Sequence, residues 1–337
     1  MMSWDIAHRI ADNLFADMEA GDSLTLAFQG GEPTLAGIAF FKEIFDYVSN
    51  KAKEQNIRSN YALQTNGTII DESWIPLFKN HPVLIGLSID GYKQLHDINR
   101  KDSAGKDTYN KIMRTKRLLD THDIPYNVLM TLTNQGARHP QKLWQFLLKE
   151  KINYVQFTPC LDSLGGEGKS VFALEPEWFY RFYSVLYPLW AAELEKGHYI
   201  SVKLFDDLVN YFGKGIPSAC GINGVCGCQY VCEGDGSAFP CDFYMLDEYK
   251  LGSLAENKPG ELKNASLSFV SFDKEYISAE PCKSCRYLAV CHGGCKRMKN
   301  IIYLSEGICY YAKLLDEILT PLLNAAMRFG TNRNIQR

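Results

Sequence analysis

The sequence predicts an α/β fold in which parallel strands form a barrel, or part of one, followed by a small cysteine-rich domain. From residue 1 to residue 160, short apolar runs alternate with stretches of helical spacing. The runs recur about every 25 to 40 residues, as parallel strands do when helices connect them. Polar motifs follow the strands. This favours a barrel over an open sheet, because α/β barrels carry their active sites on the rim at the carboxyl ends of the strands. Of the eleven cysteines, all except Cys160 lie between Cys220 and Cys309.

Five apolar runs predict buried strands with helices between them. The strands are residues 24–30, 60–66, 83–90, 126–133 and 153–159. Residues 40–55 and 110–122 have helical spacing, and the aromatic-rich stretch 175–197 predicts a packed helix that bends near Pro188. A helix also opens the chain, with Ser3 as its N-cap.

Composition excludes several classes of function. The net charge of −3 gives no electrostatic reason to expect a nucleic acid, and no basic run indicates a membrane surface. No stretch approaches 18 uninterrupted apolar residues, the length of a membrane-spanning helix. The opening helix contains Asp5 and Asp12, which a signal peptide does not. We therefore expect a cytoplasmic protein in a reducing environment.

Three polar motifs stand at the ends of consecutive predicted strands. They are Gly30-Gly31-Glu32, Gln64-Thr65-Asn66-Gly67, and Ser88 with Asp90-Gly91. The paired glycines allow a ligand to approach the backbone closely, and Glu32 can accept hydrogen bonds from an ammonium group. A single motif of this kind also fits a plain turn, but three in succession predict a binding site.

The cysteine spacing is the most specific signal in the chain. One group runs C-x5-C-x14-C, and another runs C-x2-C-x5-C-x3-C with one more cysteine after it. These are Cys220, Cys226 and Cys241, then Cys282, Cys285, Cys291, Cys295 and Cys309. Eight thiolates make two four-sulfur sites, which suit iron–sulfur clusters or tetrahedral zinc, whereas disulfides are rare in a reducing compartment. Cys228 and Cys232 remain, and packing is the simpler interpretation for them.

The chain resembles the radical S-adenosylmethionine (SAM) enzymes with a C-terminal SPASM domain, and most closely the anaerobic sulfatase-maturating enzymes. The resemblance runs from about Ser3 to about Leu323. It rests on the strings FQGGEPTLAG, LQTNGT, LSIDG, INRKD, CGINGVC and PCDFY. It implies a partial (β/α)6 TIM-like barrel, lacking its first strand, over residues 1–212. A SPASM domain with two auxiliary [4Fe–4S] clusters would follow over 213–312, and a C-terminal helix and tail over 313–337.

The resemblance also implies the ligands of each cofactor. The SAM site would consist of Gly30, Gly31, Glu32, Gln64, Asn66, Ser88, Arg100 and Leu161, with Glu32 beside the methionyl ammonium group. In the family, the ligands of the two auxiliary clusters alternate along the chain, so that a cysteine between two ligands of the second cluster binds the first. The first auxiliary cluster would bind Cys220, Cys226, Cys241 and Cys295, and the second Cys282, Cys285, Cys291 and Cys309.

Asp242 matches the catalytic proton acceptor of the family. The resemblance implies that a 5′-deoxyadenosyl radical takes a hydrogen atom from the β-carbon of a sulfatase cysteine or serine. Asp242 would remove the thiol or hydroxyl proton as a general base. Loss of one further electron leads to formylglycine. The implied partners are an unfolded sulfatase or peptide with the target residue, and a reducing electron donor.

One departure from the family is severe. The family binds a third, SAM-chelating [4Fe–4S] cluster through C-x3-C-x2-C on the first barrel strand, whereas no cysteine precedes Cys160 here. We therefore expect the chain as given to be inactive in SAM cleavage. A barrel without its first strand leaves an unpaired edge. We expect the DNA upstream of Met1 to encode roughly 30 to 40 further residues with this motif, the length of one strand and loop.

Three other interpretations stay open. Another peptide-modifying radical SAM/SPASM enzyme would share most motifs. A non-catalytic iron–sulfur or SAM-binding scaffold would keep the auxiliary cysteines and tolerate the loss of Asp242. A zinc-stabilised binding module would be colourless, whereas [4Fe–4S] protein is brown. The string PCDFY and the two complete cysteine sets favour sulfatase maturation. The target sulfatase and the choice between cysteine and serine do not follow from the sequence.

Overall fold

The computed structural model describes residues 1–164, 166, 168–271 and 279–330. The helices are α1 Trp4–Phe15, α2 Gly37–Glu54, α3 Ile75–Asn80, α4 Lys93–Asn99, α5 Tyr109–Thr121, α6 Asn134–Ala137, α7 Pro140–Lys149, α8 Pro176–Glu195, α9 Lys203–Leu208, α10 Cys220–Asn223, α11 Lys263–Ser271, α12 Glu280–Lys283, α13 Leu288–Cys291 and α14 Tyr310–Gly330. The strands are β1 Ser23–Phe28, β2 Arg58–Thr65, β3 Val83–Ser88, β4 Tyr126–Leu132, β5 Tyr154–Pro159, β6 Ser201–Val202, β7 Val231–Cys232, β8 Ser237–Phe239, β9 Gly252–Ser253, β10 Leu304–Ser305 and β11 Ile308–Cys309.

The first six strands form one parallel sheet in the order β1-β2-β3-β4-β5-β6. Its core-facing positions are β-branched and aliphatic residues such as Leu63, Ile85 and Val128, none of which is accessible to solvent. The α/β class and the five predicted strands are confirmed. Sequence analysis did not name β6, which has only two residues. The curvature of a partial barrel stays a prediction.

The cysteine-rich part of the chain contains short antiparallel pairings. Strands β7, β8 and β9 form a three-stranded sheet, and β10 pairs with β11. The strands of these sheets have two or three residues each. Such short ladders bury little apolar surface, so side chains outside them must contribute most of the stability here.

Contacts between residues divide the chain into two compact units. The first comprises Met1–Ser88, Thr108–Tyr126 and Gly227–Phe272. The second comprises Ile89–Asp107, Asn127–Cys226 and Asp273–Arg337. Each unit therefore contains part of the parallel sheet and part of the cysteine-rich segment. The boundaries at residues 212 and 312 that the sequence predicts stay predictions.

Helix α1 packs within the first unit. The Ser3 side chain accepts a hydrogen bond from the Ile6 N–H at 3.3 Å, which confirms the predicted N-cap. Ile10 belongs to a buried apolar cluster whose other members are Ala238, Leu254, Ala255 and Leu262. The Asn13 side-chain amide donates to the Leu254 carbonyl at 2.9 Å. The opening helix thus packs against residues that lie more than 200 positions after it in the chain.

The second unit has an aromatic core around α8 and α14. Phe182 and Trp190 of α8 are buried, and both helices pack along one another. The predicted aromatic helix is confirmed, with Pro188 in its interior. Helix α14 ends at Gly330, so the predicted polar tail from 331 to 337 lies outside the described residues. In the described part of the chain, no helix is both long and apolar enough to cross a bilayer.

Candidate functional site

Two glycines shape the loop after β1. Gly30 and Gly31 have φ angles of 81° and 55°, in the left-handed region that favours glycine. At either glycine, no atom lies within 4 Å of the place where a Cβ would stand. The backbone conformation therefore requires glycine here, and the open space beside it leaves room for a ligand that contacts the main chain.

Glu32 joins the loop after β1 to the loop after β2. Its Oε1 accepts hydrogen bonds from the Thr34 N–H at 3.1 Å, from the Thr34 hydroxyl and from the Thr65 hydroxyl at 2.7 Å. Its Oε2 accepts from the Asn66 N–H at 2.7 Å. Because a carboxylate offers about two acceptor sites on each oxygen, Oε2 keeps the greater capacity for an ammonium donor. The carboxylate therefore orders both loops as well as offering an acceptor.

Three other predicted SAM-site residues lie at the carboxyl ends of strands. Gln64 is the penultimate residue of β2 and is half-buried. Ser88 is the last residue of β3 and is buried, and Leu161 follows β5 and is half-buried. Ligands of parallel α/β proteins bind at this end of the strands.

Arg100 is fixed by a buried carboxylate in the second unit. Its Nε donates to Asp90 Oδ2 at 2.8 Å and its Nη2 to Asp90 Oδ1 at 3.1 Å, a bidentate pair. Asp90 also accepts from the Thr131 N–H at 2.8 Å, and the Thr131 hydroxyl accepts from Arg100 at 3.2 Å. The Asp90 side chain is 2% exposed and that of Arg100 27%. The guanidinium is thus held in one orientation while part of it remains open to a ligand.

His96 closes the turn after β3. Its Nδ1 accepts a hydrogen bond from the Asp90 N–H at 3.2 Å, and the ring is buried. Burial lowers the pKa of His96 to about 4, which outweighs the attraction of the nearby Asp90 and Asp97 carboxylates. The ring is therefore neutral at neutral pH, and its hydrogen bond stabilises the turn that carries Asp90.

We expect His96 to make stability fall with acid between pH 6.5 and pH 4. The unfolded ring binds a proton near pH 6.5, whereas the folded ring resists it until about pH 4, so its stabilising contribution is complete above pH 6.5 and is lost as pH falls through the folded pKa. The difference amounts to about 3 kcal/mol. Urea unfolding of the wild type and of His96→Gln across this range would measure it. Parallel pH profiles for the two proteins would contradict the assignment.

Four thiols of the second predicted set line one cavity in the second unit. They are Cys282, Cys285, Cys291 and Cys309. Burial raises the pKa of the Cys291 and Cys309 thiols, and the neighbouring Cys285 and Cys282 add to the effect. Cys309 Sγ accepts the Ala312 N–H at 3.4 Å, the kind of contact that supports a cluster sulfur. Four thiols that line one cavity without a carboxylate or imidazole among them fit an iron–sulfur cluster.

The same thiols do not converge as ligands of one ion. Within residues 1–164, 166, 168–271 and 279–330, no group of three or more His, Cys, Asp or Glu side chains is arranged to hold a single metal ion.

Three cysteines of the first predicted set lie together in the second unit. Burial raises the pKa of the Cys295 thiol to about 11, and Cys220 and Cys226 are close enough to raise it further. Gly224, in the loop between Cys220 and Cys226, packs directly on the backbone of Cys291. The fourth member, Cys241, lies in the first unit.

Asp242 contacts the cysteine that precedes it. The Cys241 thiol donates a hydrogen bond to Asp242 Oδ1 at 3.2 Å, and the Asp242 side chain is exposed. A metal-bound cysteine is a thiolate and has no proton to donate. Binding of a metal by Cys241 would therefore free Asp242 Oδ1 to accept a proton or a hydrogen bond from another group.

The three remaining cysteines are half-buried and have raised thiol pKa values. Burial raises the pKa of Cys232 to about 12 and raises that of Cys228 and of Cys160. Cys232 packs against the apolar cluster around Ile10, as the packing interpretation expects. The Asp162 and Asp90 carboxylates further raise the pKa of Cys160.

Comparison with known proteins identifies the family. No protein-family model matches this chain. The cysteine-type anaerobic sulfatase-maturating enzyme of Clostridium novyi (strain NT) is 38% identical over 301 residues, which cover 89% of this chain and 80% of that relative. This chain belongs to the anaerobic sulfatase-maturating enzyme family. It is therefore a radical SAM enzyme of the SPASM type.

Two further relatives extend the comparison. The serine-type anaerobic sulfatase-maturating enzyme of Klebsiella aerogenes is 29% identical over 299 residues, covering 89% of this chain and 73% of its own. The solved structure described as "Native anSMEcpe with bound AdoMet and Kp18Cys peptide" matches with a TM-score of 0.88 at 32% identity, over 97% of this chain and 91% of that chain. The fold of the family thus extends over almost the whole chain.

Sequence analysis missed several residues that position the family motifs. Thr65 and Thr131 hold Glu32 and Arg100, and Asp90 anchors the arginine. Sequence analysis placed Thr65 and Asp90 in the strand-end motifs but assigned neither of them a positioning role. Tyr311 lines the cavity of the second thiol set, but it occupies an apolar position of a helix and carries no sequence signal beyond its place two residues after Cys309.

Proposed function

We propose that this protein oxidises a cysteine or serine side chain of a sulfatase to Cα-formylglycine by radical SAM chemistry. The observation that carries the proposal is the 38% identity to the cysteine-type enzyme over most of both chains. The identity to the serine-type enzyme is lower, 29%, which favours cysteine as the target. The partners would be an unfolded sulfatase or peptide and a reducing electron donor, in the reducing cytoplasm where thiolate ligands persist.

We propose that the parallel sheet curves into a partial barrel and binds SAM at its rim. Gly30, Gly31 and Asn66 would offer backbone groups, and Glu32 Oε2 would accept from the methionyl ammonium group. Arg100, oriented by Asp90, would pair with the methionyl carboxylate. Gln64, Ser88 and Leu161 would complete the site.

The thiolates would bind two auxiliary clusters. We assign Cys220, Cys226, Cys241 and Cys295 to the first, and Cys282, Cys285, Cys291 and Cys309 to the second. When bound, the clusters and SAM supply one-electron transfer and a carbon-centred radical. The residues of this chain hold these groups, exclude water from them and move the proton of the substrate.

Asp242 would act as the general base. The target side chain loses one hydrogen atom from its β-carbon, one proton from its thiol or hydroxyl, and one electron. The proton passes to the Asp242 carboxylate, which cluster binding by Cys241 would free from its present hydrogen bond. A serine target then becomes the aldehyde directly, whereas a thioaldehyde from cysteine exchanges its sulfur for the oxygen of water.

We further propose that the chain as given binds both auxiliary clusters but does not cleave SAM reductively. Anaerobic reconstitution should yield about eight irons and eight sulfides per chain. With SAM and a strong reductant, 5′-deoxyadenosine should not exceed the protein-free blank, because the C-x3-C-x2-C ligands are absent from these residues.

The matched control is the same chain joined to a segment that carries C-x3-C-x2-C. It should bind about four more irons, form 5′-deoxyadenosine and oxidise a sulfatase peptide. Stoichiometric zinc with negligible iron would contradict the cluster assignment. Reductive SAM cleavage by the unmodified chain would contradict its inactivity, and a joined chain that cleaves SAM without oxidising the peptide would contradict the proposed substrate.

A further inference from the structure

The hydroxyl of Tyr311 is a buried polar group that lacks a hydrogen-bond partner among the described residues. Tyr311 lies in the first turn of α14, is 2% exposed, and lines the same cavity as Cys282, Cys285, Cys291 and Cys309. Its Oη has no hydrogen-bond partner among the residues that the structure describes. Buried tyrosine hydroxyls ordinarily find a partner because an unpaired one costs free energy. A group bound in the cavity that Tyr311 lines can supply the acceptor that this hydroxyl lacks.

Aromatic stacking holds the Tyr311 ring in place. The ring stacks on Tyr303 with ring centroids 4.8 Å apart and planes inclined by 26°. Tyr303 in turn packs edge-on against Phe179 at 5.6 Å. This stack, together with the burial of the Tyr311 side chain, restrains the direction in which Oη points. A donor fixed in this way is organised for a ligand before the ligand binds.

We propose that Tyr311 donates a hydrogen bond to a sulfur of the cluster held by Cys282, Cys285, Cys291 and Cys309, and so raises the reduction potential of that cluster. The inference rests on the second cluster of the proposed function. Cluster sulfurs carry negative charge and accept hydrogen bonds, which stabilise the reduced state more than the oxidised one because it is more negative. Tyr311 would thus make this cluster a better acceptor for the electron that the substrate loses.

Potentiometric EPR titration of the Tyr311→Phe protein tests the proposal. Phenylalanine keeps the stack and the volume but removes the donor. We expect the iron content to be unchanged and one midpoint potential to become more negative, with about a tenfold change in the redox equilibrium, or about 59 mV for one electron. The midpoint that disappears in Cys282→Ala identifies the second cluster. The other midpoint should not move.

Tyr211→Phe is the matched control. The Tyr211 hydroxyl donates to the Val290 carbonyl at 2.7 Å, next to Cys291 but on oxygen and not on sulfur. Its loss should leave both midpoints unchanged. An equal shift in this variant would mean that any disturbed hydrogen bond near Cys291 alters the potential, and would overturn the specific role of Tyr311.

The remaining outcomes separate the inference from the proposed function. Two clusters with unchanged midpoints in Tyr311→Phe would overturn the inference and leave the proposed function intact. A wild-type chain without a second cluster would overturn the proposed function itself.

If Tyr311→Phe fails to retain iron, ENDOR spectra of the wild-type reduced cluster in H2O and D2O decide whether the hydrogen bond exists. An exchangeable proton coupled to this cluster in addition to that of the Ala312 N–H supports the donor, and its absence in a chain whose second cluster is present overturns it.

Discussion

Asp242→Asn should lower formylglycine formation by roughly 10²- to 10⁴-fold, the usual contribution of a general base. The measurement uses the chain joined to a C-x3-C-x2-C segment, with a sulfatase peptide as substrate and mass spectrometry of the product. Asparagine keeps the size and polarity of the side chain but does not accept a proton. The radical source is untouched, so 5′-deoxyadenosine formation should continue while the peptide remains unoxidised.

The separation of these two readouts makes the test specific. A structural defect would lower cluster content, SAM cleavage and peptide oxidation together, whereas loss of a base affects only the last. Asp247→Asn is the control, because Asp247 is exposed and lies five residues further along the same unit. It should oxidise the peptide at the wild-type rate. Undiminished product in Asp242→Asn would remove this carboxylate from the mechanism.

The strands were predictable because their signal is local. The runs at β2, β3 and β4 contain consecutive apolar residues whose burial the structure confirms at Leu63, Ile85 and Val128. Strand β6 escaped prediction because two residues, Ser201–Val202, are too few for any periodicity to appear. Its place in the sheet depends on pairing with β5, in which Tyr154 pairs with Ser201, 47 residues further along the chain.

Candidate ligands could be proposed from the sequence, but the residues that hold them could not. Cysteine spacing and glycine pairs are local patterns, so the thiolate sets and the loop after β1 could be proposed from the sequence. The contacts of Glu32 with Thr65 and of Arg100 with Asp90 join residues 33 and 10 positions apart. Ordinary threonines and a turn aspartate show such roles only when the fold brings their partners to them.

Within the second unit, the segment that carries Cys220 and Cys226 contacts the second thiol set through one glycine. Helix α10 ends at Asn223 and is capped by Gly224, whose φ is 67° and whose N–H donates to the Cys220 carbonyl at 2.9 Å. One residue earlier, the Asn223 carbonyl contacts His292 Nδ1 at 2.7 Å. The loop that carries Cys220 is therefore seated on the loop that follows Cys291.

Gly224→Ala should destabilise the protein and release iron from both auxiliary sites. A Cβ at this position would stand 2.1 Å from the Cys291 carbonyl oxygen and 2.9 Å from the Gly294 nitrogen, and both are backbone atoms that cannot rotate away. The left-handed conformation alone costs about 1–3 kcal/mol for a residue with a Cβ. Relief of the overlap must move the Cys220 loop or the Cys291 carbonyl, and either movement displaces a ligand. Thermal unfolding followed by circular dichroism, with iron analysis of the purified protein, should show both losses.

Gly227→Ala is the control, since Gly227 has no neighbour within 4 Å of a Cβ position, and it should behave as the wild type. Wild-type iron content and melting temperature in Gly224→Ala would show that the two loops do not depend on each other.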